Sequence, residues 1–316
     1  MRVLVLGGTG FIGSRVVARL VGAGHEVAVF SRGQTRAEIP REIRRLIGDQ
    51  TELDRHIPAF RDFAPDVVVG MHLMSEREAR AFTGILAGLT GRTLAISSMD
   101  VYRAYNRLRR VEPGLPDRTP LTEDSPVREK LYPYRDFVLE SWAQEYDKLL
   151  VERAVMDAPG LPGTILRLPF VYGPGDGLHR LAEYLKPMDE GQPTIVMDES
   201  RAGWRAARGY VDNVAEAIAL AATDSRAAGR VYNVSDAKAF TEREWAVNIG
   251  RAAGWTGEVV TKPREQLPTD LVRDYDFGQH LFADTQRIRT ELGYREPVAL
   301  EESLRSTVEW ERRPSL

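Results

Sequence analysis

The sequence contains no cysteine. Disulfides, zinc–thiolate sites, iron–sulfur clusters and cysteine nucleophiles are therefore excluded. It has no apolar run of the roughly 18 residues that a membrane-spanning helix needs. It also lacks an excess of one charge: 43 Lys and Arg stand against 46 Asp and Glu, for a net charge of -3. The broad basic field of a nucleic-acid binder is missing. The five histidines show no paired spacing, so no metal site is assigned. There is no internal repeat and no low-complexity tract. What is present is an ordinary globular composition over 316 residues, 43% hydrophobic and 28% charged. That length suits about two domains or one elaborate α/β unit. The first residues lead straight into a glycine-rich turn, which does not read as a signal peptide, and a cytoplasmic location is the expectation.

The first third alternates short apolar runs with helical periodicity. Strands are expected at 3–6, 26–30, 45–47, 66–69 and 93–96, with helices at 11–23 and 76–89. Apolar strands separated by helices imply a parallel sheet covered on both faces. Residues 103–135 carry prolines and charges with little periodicity, and a loop of that length is usually functional. A long helix is predicted over 137–156 and a buried strand over 164–168. Thr241 and Glu244 have capping-box spacing and open a helix reaching Ala253. An amphipathic helix near 300–312 is the last element.

Gly7-Gly8-Thr9-Gly10-Phe11-Ile12-Gly13 follows the first strand and opens the first helix. Glycine serves three needs there: a tight turn, backbone approach to a pyrophosphate, and close packing of helix on strand. The helix N-terminus then offers free N–H groups and a positive dipole end to phosphate. The strand–loop–helix context makes this a dinucleotide-binding signal. At the end of the second strand an Asp or Glu would bond the ribose 2′-hydroxyl of NAD. Phe30-Ser31-Arg32-Gly33 stands there instead. Arg32, helped by Ser31 and with Arg36 as a further candidate, could pair with a 2′-phosphate, which favours NADP over NAD. Arg32 could equally stack on adenine. Asp49, in Gly48-Asp49, would lie near the adenine amino group or cap a following helix.

These residues resemble the extended short-chain dehydrogenase/reductase family, the NAD(P)-dependent sugar-nucleotide epimerases and dehydratases. The resemblance rests on GGTGFIG at 7–13, GD at 48–49, SSMDVY at 97–102, DKLLVE at 147–152, LRLPFVYGPGD at 166–176 and RGYVDNVAEA at 208–217. YNV at 232–234 and ADTQRIRTELGY at 283–294 continue it in family order. It implies a doubly wound Rossmann sheet of seven parallel strands over residues 1–170. A small α/β substrate-binding lobe would span 171–316, with some of its segments returning to the sheet. It further implies that Ser98 orients a substrate oxygen, that Lys148 holds the nicotinamide ribose, and that Pro169 and Val171 pack against the nicotinamide. By the same resemblance Arg208 binds a sugar-nucleotide phosphate. Arg180, Arg201 and Arg205 lie in the same stretch and could add charge. A homodimer through helices 76–90 and 137–156 is also implied.

The family's acid–base pair is Tyr-x-x-x-Lys, two side chains about one helical turn apart and so on one face. Lys148 matches the lysine, but Gln144 occupies the tyrosine position, and none of the 11 tyrosines has lysine four residues later. Tyr134, on the irregular segment, is the first candidate for the missing phenol. Tyr146 is the second, although two helical residues turn about 200° and should point it away from Lys148 unless a π-bulge intervenes. The dehydratase branch has two carboxylates after the Ser; here only Asp100 remains, as a fallback base or a turn cap.

The expected function is an NAD(P)-dependent oxidoreductase or epimerase acting on a sugar nucleotide or similar hydroxyl/carbonyl compound. The alternative is a dinucleotide-binding protein without turnover, regulatory or RNA-associated, which Gln144 favours and the retained Ser98, Lys148 and Arg208 oppose.

Overall fold

The computed structural model describes residues 1–35, 39–40, 42–136 and 138–313. Arg36 lies outside them. Eleven strands are defined among these residues: β1 Arg2–Leu6, β2 Glu26–Ser31, β3 Arg44–Ile47, β4 Val67–Gly70, β5 Arg92–Ser98, β6 Gly163–Leu168, β7 Phe170–Tyr172, β8 Thr194–Asp198, β9 Arg208–Tyr210, β10 Val231–Asn233 and β11 Glu258–Lys262. Seven form one parallel sheet in the order β10-β6-β5-β4-β1-β2-β3. The other four form two small parallel pairs, β8 with β11 and β7 with β9.

Both faces of the large sheet are covered at its centre, which is why β1 and β4 read as nearly unbroken apolar runs, whereas the edge strand β3 is largely exposed. Val3 and Val5 of β1 face a core with Val16, Val17 and Leu20 of helix Phe11–Gly22 and with Ile218 of helix Val211–Thr223. Leu4 and Leu6 face the opposite core, with Phe60, Phe82, Leu86, Val151 and Val155. These come from helices Ile57–Phe63, Glu76–Leu86 and Lys148–Met156. A third apolar cluster, including Met99, Tyr102, Leu149, Trp204 and Leu281, lies beyond the ends of β5 and β6.

The sheet order reverses at β1: β2 and β3 lie on one side, β4 and its successors on the other. In open α/β sheets a ligand crevice forms at that point, beyond the carboxyl ends of the strands. β10, from far along the chain, returns to pair with β6 through Val231–Ile165, Tyr232–Leu166 and Asn233–Arg167. The capping box at Thr241 and Glu244 is present and opens helix Glu242–Ala253. Helix Leu300–Glu311 is the last element. No helix among the described residues is long and apolar enough to cross a membrane.

Two expectations are corrected. The irregular stretch contains a short helix, Arg103–Leu108, whose Ala104 and Leu108 are buried. The single helix expected over 137–156 is instead two short ones, Trp142–Glu145 and Lys148–Met156, interrupted at Tyr146 and Asp147. The cause is Asp147. Its backbone is extended, and its carboxylate accepts from Leu149 N at 2.9 Å and Leu150 N at 3.2 Å, capping the second helix. The same carboxylate takes the Arg128 guanidinium and Tyr132 N. Among the described residues, which exclude Phe137, the long second helix implied for a dimer face is therefore absent.

Candidate active site

The glycine loop sits at the reversal point. Gly7 adopts φ +87°, a conformation that a side chain would strain, and donates its N–H to Phe30 O at 2.9 Å. Gly13 lets the helix approach the loop: a Cβ there would stand 2.3 Å from Gly7 O. Gly10 is different. Its φ is -80°, and a Cβ would meet only Gly7 O, at 3.8 Å. The protein's own packing does not require glycine at 10. Helix Phe11–Gly22 starts there with no side-chain cap and no acidic residue in its first turn. Its leading N–H groups and dipole therefore face an open cradle.

A cleft of about 340 Å³ continues from Gly7, Thr9 and Gly10 past Ser31 and Arg32 to Asp49 and His72. Asp49 caps the short turn Gln50–His56, accepting Thr51 N at 2.9 Å and Thr51 Oγ1 at 2.8 Å. Those bonds, with a smaller contribution from Arg32, hold its carboxyl below the usual range. Phe11 and Ile12 are partly buried against the adjoining core, and Val171 is within it. These residues fit a dinucleotide: an unblocked helix N-terminus, space above Gly10, and a cation at the end of β2.

A second cleft, about 170 Å³, opens beyond β5 and β6 and contains Ser98, Asp100, Tyr105, Tyr134, Tyr146, Pro169 and Arg180. Ser98 caps the turn Met99–Val101, accepting Asp100 N at 3.2 Å, and its hydroxyl lies beside the Tyr146 phenol. Asp100 is 4% exposed. Its Oδ2 accepts from Tyr146 Oη at 2.7 Å and from Tyr134 Oη at 3.1 Å. Tyr105 Oη lies 2.9 Å from Tyr134 Oη and extends the chain. Asp100 Oδ1 is buried without a partner. Burial pushes the Asp100 carboxyl up, opposed by the Arg128 charge and the two phenols. Burial and the adjacent Asp100 likewise push the Tyr146 phenol well above its ordinary value.

Lys148 is buried, with Nζ donating to Leu73 O at 2.6 Å and Ile96 O at 3.1 Å. Burial lowers its pKa to about 8. Two carbonyls leave one of the three ammonium protons for another acceptor. Its Nζ stands 6.0 Å from the Tyr146 ring centroid. The expectation that Tyr146 faces away from Lys148 is thus overturned, because the helix on which it rested is broken between them. Gln144 is exposed, its amide near Val138 O at 3.4 Å, and it does not enter the cleft.

Arg180 Nη1 donates to Asp176 at 2.7 Å, and Arg208 Nη2 to Glu242 at 2.5 Å. Arg201 joins Glu242 and Glu183. Arg205 turns elsewhere, to Ala239 O at 2.6 Å. Among the described residues, no cluster of metal-ligating side chains occurs. Sequence reasoning missed Tyr105, Arg128, Asp147 and Glu242. The Asp147 cap had a signal, an Asp directly before Lys148-Leu149-Leu150, but the helical periodicity around it masked that signal.

Fold and cradle define a dinucleotide-binding α/β protein of the Rossmann type. The chain belongs to the NAD dependent epimerase/dehydratase family, whose model matches residues 3–81 and 115–235. It is similar to 2'-dehydrokanamycin reductase of Streptomyces kanamyceticus, 28% identical over 91% of this chain and 75% of that protein. It is also similar to dTDP-glucose 4,6-dehydratase of Streptomyces niveus, 28% identical over 99% of this chain and 93% of the dehydratase. UDP-glucose 4-epimerase of Thermus thermophilus, solved with NAD, shares the fold with a TM-score of 0.70 and 24% identity over 99% of both chains.

Proposed function

We propose that this protein is an NADP(H)-dependent oxidoreductase or epimerase acting on a hydroxyl or carbonyl carbon of a sugar nucleotide or similar polar compound. The observation that carries the reading is the 2.7 Å hydrogen bond from Tyr146 to Asp100, beside Ser98 and two residues from buried Lys148. Residues 1–170 would supply the cofactor cradle and 171–316 the substrate lobe, apart from helix Val211–Thr223 and β10, which pack on the large sheet. Ser31 and Arg32 support the choice of NADP, since neither supplies the carboxylate that NAD's 2′-hydroxyl needs. Lys148 would hold the nicotinamide ribose with its remaining proton, and Pro169 and Val171 would back the ring. When bound, the nicotinamide supplies or accepts the hydride.

The chain's own task is then the proton. Ser98 orients the substrate oxygen toward Tyr146. In reduction the phenol gives its proton to that oxygen, and a protonated Asp100, the form that burial favours, replaces it. In oxidation the phenol accepts the substrate proton as it passes its own to the Asp100 carboxylate. Tyr134 and Tyr105 continue the chain from Asp100 toward the partly exposed wall of the cleft. The pair Tyr146–Asp100 thereby does the work that a lysine-activated phenol does elsewhere in the family. The test is a panel of sugar nucleotides and free keto sugars, followed by NADPH absorbance and by analysis for epimerised product. Consumption of NADPH or an epimerised sugar is expected. A protein that binds no dinucleotide, or binds it and turns over nothing in the panel, contradicts the reading.

A further inference from the structure

A third cavity, about 290 Å³, adjoins the reaction cleft through Phe170 and Arg180, which line both. Tyr172, Tyr184, Trp204 and Trp245 make its walls largely aromatic. The guanidinium groups reaching it are Arg180 and Arg208, and both are already paired. Arg180 is held by Asp176, which is buried. Arg208 bonds Glu242 at 2.5 Å and lies over the Trp245 ring, 4.6 Å from its centroid. Glu242 is 3% exposed, and its second oxygen accepts from Arg201 at 3.2 Å and from the Tyr184 hydroxyl. Glu183 completes the set against Arg201.

Three guanidinium groups therefore meet three carboxylates around this cavity. Burial alone would raise the Glu242 pKa, but Arg208 and Arg201 hold it below its ordinary value, so the carboxylate is charged. A diphosphate entering here would find no surplus positive charge. Taking Arg208 from Glu242 would remove one of the two cations that compensate this buried carboxylate, which is unfavourable. Arg208 Nη1 is buried and has no hydrogen-bond partner.

We propose that this cavity takes an uncharged, ring-bearing part of the substrate, and that it does not take a nucleoside diphosphate. The inference rests on the oxidoreductase reading and selects, within it, substrates that are not nucleotide-linked. The aromatic walls supply stacking surface for such a ring, and the neutral ion-pair ring supplies orientation without net attraction for an anion.

The experiment uses the full chain saturated with NADPH. UDP and phenyl β-D-glucopyranoside are titrated separately, with calorimetry and tryptophan fluorescence as readouts. The glucoside should bind more tightly than UDP. Glu242→Gln, which releases one carboxylate charge beside Arg208 and Arg201, should improve UDP affinity about tenfold or more. Circular dichroism and NADPH affinity establish that the variant is folded. UDP binding as tightly as the glucoside, an absence of glucoside binding, or a folded Glu242→Gln with unchanged UDP affinity overturns the proposal. NADPH binding to the wild type is read first: its absence would refute the oxidoreductase reading, whereas its presence with tight UDP binding would refute only the substrate class.

Discussion

Arg128 and Asp147 form a bidentate ion pair with no exposure of either side chain. Arg128 also donates to Asp100 O and Lys130 O, so it ties together the turn holding Asp100, the segment before Tyr132, and the cap of the helix that begins at Lys148. That knot turns the chain at Tyr146 and brings its phenol against Asp100. Removing one partner leaves a buried, uncompensated charge. Arg128→Met should therefore cost about 3–5 kcal/mol of stability, read by urea unfolding. A loss below about 1 kcal/mol would mean that the pair is not desolvated as described.

Tyr146→Phe removes the phenolic proton and keeps the ring packed against Tyr134 and Trp142. Turnover should fall about 10²–10⁴-fold with NADPH affinity retained. Gln144→Tyr, which would recreate the family spacing on paper, should restore nothing to the Phe variant, because position 144 is exposed and outside the cleft. Recovery of turnover in that double variant would show that the helix re-forms through 146 and 147.

The glycines of the loop should separate by role. Gly10→Val places its side chain in open space and should abolish dinucleotide binding in calorimetry while thermal unfolding changes little. Gly13→Ala brings a Cβ within 2.3 Å of Gly7 O and should destabilise the fold itself, by roughly 1–3 kcal/mol. The reverse pattern would place the ligand elsewhere.

Cofactor choice is tested at the end of β2. Arg32→Ala should weaken NADP binding by about 1.5–3 kcal/mol, the range for a hydrogen bond to a charged group, and leave NAD nearly unchanged. An equal loss for both would assign Arg32 to stacking on adenine.

Lys148 makes stability depend on pH in a definite direction. Burial lowers its pKa in the folded protein to about 8, below the ordinary lysine value of 10.5. Between those values the unfolded chain holds more protons than the folded one, so stability rises with pH across that window. Below pH 8 the ammonium is charged in both states and the cost of burying it is fully present. Lys148→Met should remove this rise. Parallel urea titrations of the two proteins at pH 7.5 and 10 should therefore show their stability difference shifting toward the wild type at the higher pH. A difference that stays constant would mean that Lys148 keeps an ordinary pKa.

The sheet was legible in the sequence because its evidence is local. Five strands before residue 100, the glycine loop and the capping box at Thr241 each depend on neighbours a few residues away, and the structure contains all of them. The cradle is legible for the same reason: strand, turn and helix N-terminus are consecutive. The phenol was not. Residues 137–156 have helical periodicity, and the helix breaks where Asp147 caps the second helix and pairs with Arg128, 19 residues upstream. Asp100 meets Tyr146 across 46 residues and Tyr134 across 34, and Arg208 meets Glu242 across 34. Amino-acid order alone determined a parallel α/β sheet with a dinucleotide cradle and a departure from the usual Tyr-x-x-x-Lys. Which phenol faces the carboxylate, and whether Arg208 is free for an anion, were decided by tertiary structure. Buried charges must find partners wherever the fold brings them, and no local periodicity records those pairings.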